Sequence, residues 1–360
     1  MIAAAPVHFD NEQVCSGCRT AEEKQGIDWT AREKQFAELC DEYRRPVGYD
    51  CLIPVSGGKD SYWQIHTVKQ YGMNPLLVCY NENNETEVGK RNIQRMKDCF
   101  NCDYINFTPS IEVLKKLNRV GLRKMGDTDM HAHMGINCFP TQIAVKYQIQ
   151  LVIWGEHGFM DLGGMHSYRD MVEYTSRFRK EHLQHGYEWT DFLGEEGLTE
   201  RDLQWAKYPS DAEIERIELR GVFISNYFVW NQNRQSRLMQ EQYGFEQNPA
   251  PMDRTYKRDC NLNNMHDGVH DYLKYIKFGY GRCTDHVCRD IRAGEMTRAE
   301  GIELIRQYDH VVPSDLVRWL DYVGMTRTKF EQTADQFRDP RVWAKNGDGQ
   351  WTKDAIWNHN

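Results

Sequence analysis

Apolar residues gather along this chain in two rhythms. Short, mostly apolar runs occupy 51–55, 75–80, 104–107, 151–154 and 221–230, a pattern that suits strands buried on both faces. Between them lie longer stretches of helical composition, at 28–43, 62–71, 87–100, 109–122, from about Pro140 onward, 168–185 and 231–243. Strand and helix thus alternate through 47–232, which predicts an α/β fold with a doubly wound parallel sheet. Beyond 244 the strand signals fade. Residues 266–278, 297–308, 314–323 and 326–337 read as helices, the second opened by a Thr297–Glu300 capping box. A polar tail after Pro340 carries three isolated tryptophans, Trp343, Trp351 and Trp357. The expected division is a CxxC segment with one helix at 1–46, the α/β domain at 47–243 and a mainly helical region at 244–360.

The first strand runs into Ser56, Gly57, Gly58, Lys59, Asp60 and Ser61, followed at once by a helix. Two adjacent glycines let the backbone bend around an anion, the amides of the helix start face it, and Lys59 with two hydroxyls completes a cradle. The spacing is not that of GxxxxGK[ST], so a shorter pyrophosphate cradle is the better reading, with an ordinary glycine turn as the alternative. In an open parallel sheet, the loops at the carboxyl ends of strands line the ligand cleft. This puts Asn81, Glu82 and Asn83, after the second run, and Gly155, Glu156 and His157, after the fourth, near the same site.

Three further groups carry candidate chemistry. Asp127, Asp129, His131, His133 and Cys138 lie within a dozen residues just before the helix expected at Pro140. His131 and His133 are candidate catalytic groups; the same cluster could instead bind metal or be hydrogen-bonded core. Cys15 and Cys18, spaced CxxC, either hold a metal ion such as Zn2+ with ligands from elsewhere or stay unliganded. Near the end, Arg282, Thr284, Asp285, His286, Arg289 and Asp290 share one polar stretch, and in a helix Asp285 and Arg289 would stand one turn apart, a surface pair in the plainest reading.

The segment SGGKDS at 56–61 resembles the signature of the PP-loop ATP pyrophosphatases. With CSGC at 15–18, IDW at 27–29, VIWGEHG at 152–158 and the stretch 277–301, KFGYGRCTDHVCRDIRAGEMTRAEG, the chain over 12–325 is similar to the N-acetyl sugar amidotransferases of bacterial surface-polysaccharide (LPS O-antigen) biosynthesis. Cys283 and Cys288 depart from that family's usual small residues, and its frequent second cysteine pair upstream of CSGC is not found here. The resemblance implies a PP-loop fold of the adenine nucleotide alpha hydrolase type, with ATP and Mg2+ at Ser56–Ser61, nucleotide contacts from Gly155 and Glu156, and an acceptor pocket built with Arg282, Thr284, Asp285, Arg289 and Asp290. It implies adenylation of the acetamido oxygen of a nucleotide-linked N-acetyl sugar, and ammonia from a separate glutaminase, with a cyclase-like channel subunit as a further candidate partner. A homo-oligomer is also compatible. Two rivals stay open: a PP-loop tRNA thiolase and a non-catalytic nucleotide-binding subunit of a polysaccharide assembly complex.

Composition narrows these. A formal charge of −8 over 360 residues, without a long basic stripe, gives nucleic-acid binding no support. Mean hydropathy is −0.75, and no stretch approaches the eighteen apolar residues of a membrane span. Residues 1–10 lack the pattern of a signal peptide, so the cytoplasm is expected. Eleven cysteines in such a chain read as thiols or ligands, not as a disulfide framework.

Overall fold

The computed structural model describes residues 7–355. Two helices lead in, α1 (Ser16–Gln25) and α2 (Trp29–Tyr43), the second capped by Asp28, which accepts from Ala31 N. There follow β1 (Cys51–Pro54), α3 (Lys59–Gln70), β2 (Pro75–Tyr80), α4 (Glu87–Phe100), β3 (Tyr104–Phe107), α5 (Ile111–Met125), α6 (Met130–Tyr147) and β4 (Leu151–Trp154). Short elements come next: α7 (Gly158–Gly163), the single turn α8 (Ser176–Phe178), α9 (Asp211–Arg216) and β5 (Arg220–Phe223). The rest comprises α10 (Gln232–Tyr243), α11 (Asp267–Phe278), α12 (Arg282–Arg292), α13 (Arg298–Tyr308), α14 (Leu316–Val323), α15 (Arg327–Asp335), β6 (Trp343–Lys345) and β7 (Trp351–Lys353).

The five main strands form one parallel sheet in the order β3-β2-β1-β4-β5. This is the expected α/β class. Side-chain direction alternates along each strand, and both faces are covered. Cys51, Ile53, Leu77, Leu151, Ile153 and Val222 pack into one core with residues of α2, α3, α4 and α10. Leu52, Leu76, Val78, Val152, Trp154 and Phe223 pack into another with Ile143 and Ala144 of α6. Hence the mostly apolar runs. A third core joins Leu122 of α5 to α11, α14 and α15 through Leu273, Trp319 and Phe330, which fixes the C-terminal helices to the sheet domain.

Four local expectations are corrected. The helix expected from Pro140 begins at Met130, with Pro140 inside it; Ile136, one turn earlier, is exposed, so the carbonyl left unbonded by proline is on the wetter side. The stretch 168–185 is not one helix: Met171 adopts φ 50°, and Tyr174 leaves the helical path to bridge Gly221 at the edge of β5. The fifth run stops being a strand at Phe223 and turns as a short 3-10 helix over Ile224–Asn226. The tail after Pro340 holds an antiparallel hairpin, β6 with β7. Its Trp343 is buried, edge-on to Tyr275 of α11 and under the Arg338 guanidinium; Trp357 lies outside the described residues. No helix among the described residues is long and apolar enough to cross a membrane.

Candidate active site

The strand order reverses direction between β1 and β4, and ligands of open parallel sheets bind beyond the carboxyl ends of strands at such a point. Ser56–Gly58 leave β1 there. Gly57 sits at φ 78°, and a Cβ on it would meet Ile93 Cγ1 at 2.4 Å, so both the turn and the approach of α4 require glycine. Ser56 N donates to Ser61 Oγ (2.9 Å), closing the loop on the first turn of α3. Gly58 caps α3 without a side chain, which leaves the amides at that end for an anion.

Lys59 is buried, with Nζ 3.3 Å from Asp60 Oδ2. Burial alone would lower its pKa; Asp60, Asp259 and Cys260 outweigh burial and hold it above the usual lysine value, so it keeps its charge. Asp60 Oδ1 is buried with no hydrogen-bond partner among the described residues. Gln64 ties the two strand ends: its amide oxygen accepts from Gly155 N (2.6 Å) and its nitrogen donates to the Asp60 carbonyl (3.3 Å).

Glu156 follows β4. Arg289 Nη2 of α12 donates to its Oε1 (2.5 Å) and Gln232 Nε2 to its Oε2 (3.1 Å). Burial pushes Glu156 up to about 7 despite Arg289, with Asp161 and Asp60 adding to the rise. The candidate nucleotide and acceptor segments are thereby joined through one ion pair. Asp285 and Arg289 do not pair with each other at the surface: Asp285 accepts from Lys274 of α11, since both faces of α12 are packed. Asp290 accepts from Lys257 Nζ (2.6 Å), Asn233 Nδ2 (3.0 Å) and Tyr256. A cleft of about 390 Å³ is lined by Lys24, Trp29, Asn233, Lys257, Arg289 and Asp290, among others. Residues 56–61 do not line it; Arg289 is the wall that links it to the switch point.

The other sequence candidates divide. Arg282 Nε donates to Asp271 Oδ1 (2.9 Å), and Thr284 is spent with Gly281 N on Asp309, which caps α12. Asn81 Oδ1 accepts from Asn83 N (2.6 Å) and its amide contacts Glu85, an Asx turn closing the loop after β2. Glu82 Oε2 accepts from Asn264 Nδ2 (2.9 Å) and is pushed up to about 7 by burial, then by Glu85. His131 and His133, on different sides of α6, stand with Glu82, Asp127, Asp129 and His270 in a second polar cluster. Cys15 caps α1, and Arg292 Nη2 lies 3.6 Å from its sulfur. Burial would raise the Cys15 thiol, but hydrogen bonds from Cys18 and the charge of Arg292 bring it below its usual value. The three-membered groups of candidate metal ligands among the described residues do not include Cys15 or Cys18.

Lys257, Asp271, Asp309 and His270 escape a motif-based reading of the sequence. Only His270 and Asp271 left a trace, in the density of His266, Asp267, His270 and Asp271 along one short stretch.

Residues 242–356 match the family described as "LPS biosynthesis protein WbpG-like, C-terminal domain". The WbpG-like region therefore contains α11 to α15, the hairpin, and Arg289 with Asp290. Among solved structures, NMN synthetase from Francisella tularensis aligns with 80% of this chain and 91% of its own at 11% identity and TM-score 0.36. A predicted subunit of tRNA methyltransferase from Methanocaldococcus jannaschii aligns over 60% and 85% at 13% identity and TM-score 0.29. NH3-dependent NAD synthetase from Campylobacter jejuni aligns over 53% and 93% at 14% identity and TM-score 0.29. No curated protein compared with the chain matches it. The fold assignment rests on the strand order and register given above.

Proposed function

We propose that the chain is an ATP-dependent amidotransferase of LPS biosynthesis that converts the acetamido group of a nucleotide-linked N-acetyl sugar into an acetamidino group. The observation that carries this reading is the Glu156–Arg289 ion pair, which attaches the WbpG-like region to the end of β4 at the sheet switch point, where Gln64 ties Gly155 to Asp60 of the phosphate-ready loop. An anion cradle alone fits many reactions; an anion cradle wedded to that region fits few.

The acetamido oxygen attacks the α-phosphorus of ATP and pyrophosphate departs. Ammonia then adds to the activated carbon, and AMP leaves with the original oxygen. The loop amides, Ser56, Ser61 and Lys59 hold the phosphates and stabilise the charge that develops as pyrophosphate leaves. Mg2+ fits at Asp60, whose Oδ1 has no partner among the described residues and offers a ligand, and when bound it would screen the phosphates. Gly155 and Glu156 border the nucleotide, while Arg289, Asp290 and Lys257 present hydrogen-bonding groups to the acceptor in the cleft. Arg282, Thr284 and Asp285 hold α12 in place beneath it, consistent with their partners Asp271, Asp309 and Lys274. In this reading the functional division is 1–46, 47–243 and 244–360, and ammonia comes from a separate glutaminase.

The test is to incubate the protein with ATP, Mg2+, an ammonium salt and UDP-N-acetyl sugars, then look by mass spectrometry for exchange of the acetamido oxygen for NH with equal AMP. AMP formed only with tRNA and a sulfur donor would sink the reading in favour of a thiolase.

A further inference from the structure

The polar cluster beneath β2 holds two sets of three candidate ligands, Asp127–His133–His270 and Glu82–Asp129–His131, each with donor atoms within 4.8 Å of one another. They differ in what their atoms already do. His131 is engaged at both nitrogens, Nδ1 with Tyr80 OH (3.3 Å) and Nε2 with Asn118 Nδ2 (3.0 Å). Asn118 is itself held by the Leu114 carbonyl and Trp319 Nε1. That set is a finished hydrogen-bond network.

The first set is not finished. Asp127 is 1% exposed; its Oδ1 accepts from Asp129 N (2.9 Å) and His270 Nδ1 (3.0 Å), yet its Oδ2 has no partner among the described residues. His133 Nε2, enclosed by protein, also has none. The His133 and His270 rings converge from α6 and α11, with centroids 5.8 Å apart. An orphaned buried carboxylate oxygen costs several kcal/mol unless a cation or donor meets it. The surroundings favour a cation: Asp129 is 3.6 Å from His270, Glu82 and Asp267 stand close to Asp129, and Lys277 is turned onto the Met125 carbonyl.

We propose that Asp127, His133 and His270 bind a first-row divalent transition metal, Zn2+ foremost, that pins the α5–α6 turn to α11 of the WbpG-like region. Two imidazoles and one carboxylate suit Zn2+, Mn2+ or Fe2+ better than Mg2+, which prefers oxygen ligands and retained water. The site is independent of the CxxC pair and of the reaction proposed above.

Tag-free protein is stripped with a chelator, reloaded with Zn2+, desalted and assayed by elemental mass spectrometry. About one ion per chain is expected, retained in Cys15→Ser/Cys18→Ser and weakened at least about tenfold in Asp127→Asn and His133→Gln, since even indirect partners of a metal contribute that much. Circular dichroism monitors the fold of each variant. Co2+ loading of the unaltered chain provides the measurement that needs no variant: visible d–d bands are expected without a thiolate-to-cobalt charge-transfer band. Failure of the reloaded chain to retain Zn2+, full retention in both folded cluster variants, or a thiolate band as the sole cobalt signature would each overturn the proposal.

Discussion

Lys59 is the residue on which the proposed chemistry leans hardest. It is buried beside Asp60 and keeps its proton because acidic neighbours outweigh burial. Lys59→Ala is expected to lower AMP release by about 10²–10³-fold, the usual cost of losing a preorganised charge at a developing anion, with the far-UV circular dichroism unchanged. A normal rate would remove the loop from the mechanism. Glu156 makes a prediction about pH. Its folded pKa is raised to about 7 against about 4.3 in an unfolded chain. Such a group binds its proton more tightly when folded, so its contribution is complete below the unfolded value and is lost as pH rises through about 7. Glu156→Gln should therefore flatten the fall in urea midpoint between about pH 5 and 8. Glu82, also raised to about 7 by burial, adds to the same fall and is unaffected by that change. An identical slope in the variant would show that Glu156 is ionised across the window.

The loop and α12 are the two elements that must meet for the site to exist. Gly57→Ala forces a Cβ into a left-handed backbone and against Ile93, which should cost about 1–3 kcal/mol and displace the cradle. Chemical denaturation and AMP release should fall together. Arg289→Ala leaves Glu156 without its guanidinium partner, and because Arg289 is the neighbour that holds the Glu156 pKa down, the buried carboxyl should then keep its proton to higher pH. Because α12 is separately held by Asp309, Lys274 and Asp271, the helix should persist while acceptor binding weakens. A rise in KM for the sugar with little change in ATP-dependent turnover at saturation would fit this; an unchanged KM would exclude Arg289 from the acceptor wall.

Sheet domain and C-terminal region are expected to fold as one unit. Leu122 of α5 is buried among residues of α11, α14 and α15, and Trp319 reaches across to Asn118. A fragment ending at residue 243 would expose that apolar face and leave Glu156 without Arg289 and Asn118 without Trp319. It should bind a hydrophobic dye and unfold without a cooperative transition, whereas the intact chain should melt once. An independently cooperative fragment would show that the interface is dispensable for folding.

The order of elements was legible from residue pattern alone, because a strand covered on both faces needs a mostly apolar run and a two-glycine loop before a helix admits few backbones. Positions 56–61 and 155–156 could likewise be placed at the carboxyl edge, since parallel topology puts those loops there. Other features depend on contacts between residues far apart in sequence. Pro140 reads locally as a helix start, yet burial on α6 carries the helix through it. Asp285 and Arg289 read as a pair, yet packing on two sides gives each another partner. Asp127, His133 and His270 come together only because α11 returns to the α5–α6 turn 143 residues after Asp127. Local propensity acts over one turn of chain, so sequence alone determined most of the helices, the central strands and the position of the two-glycine loop at 56–61. Charge pairing and ligand convergence act through space, so only the tertiary structure decided that Glu156 meets Arg289 and that three donors surround one point.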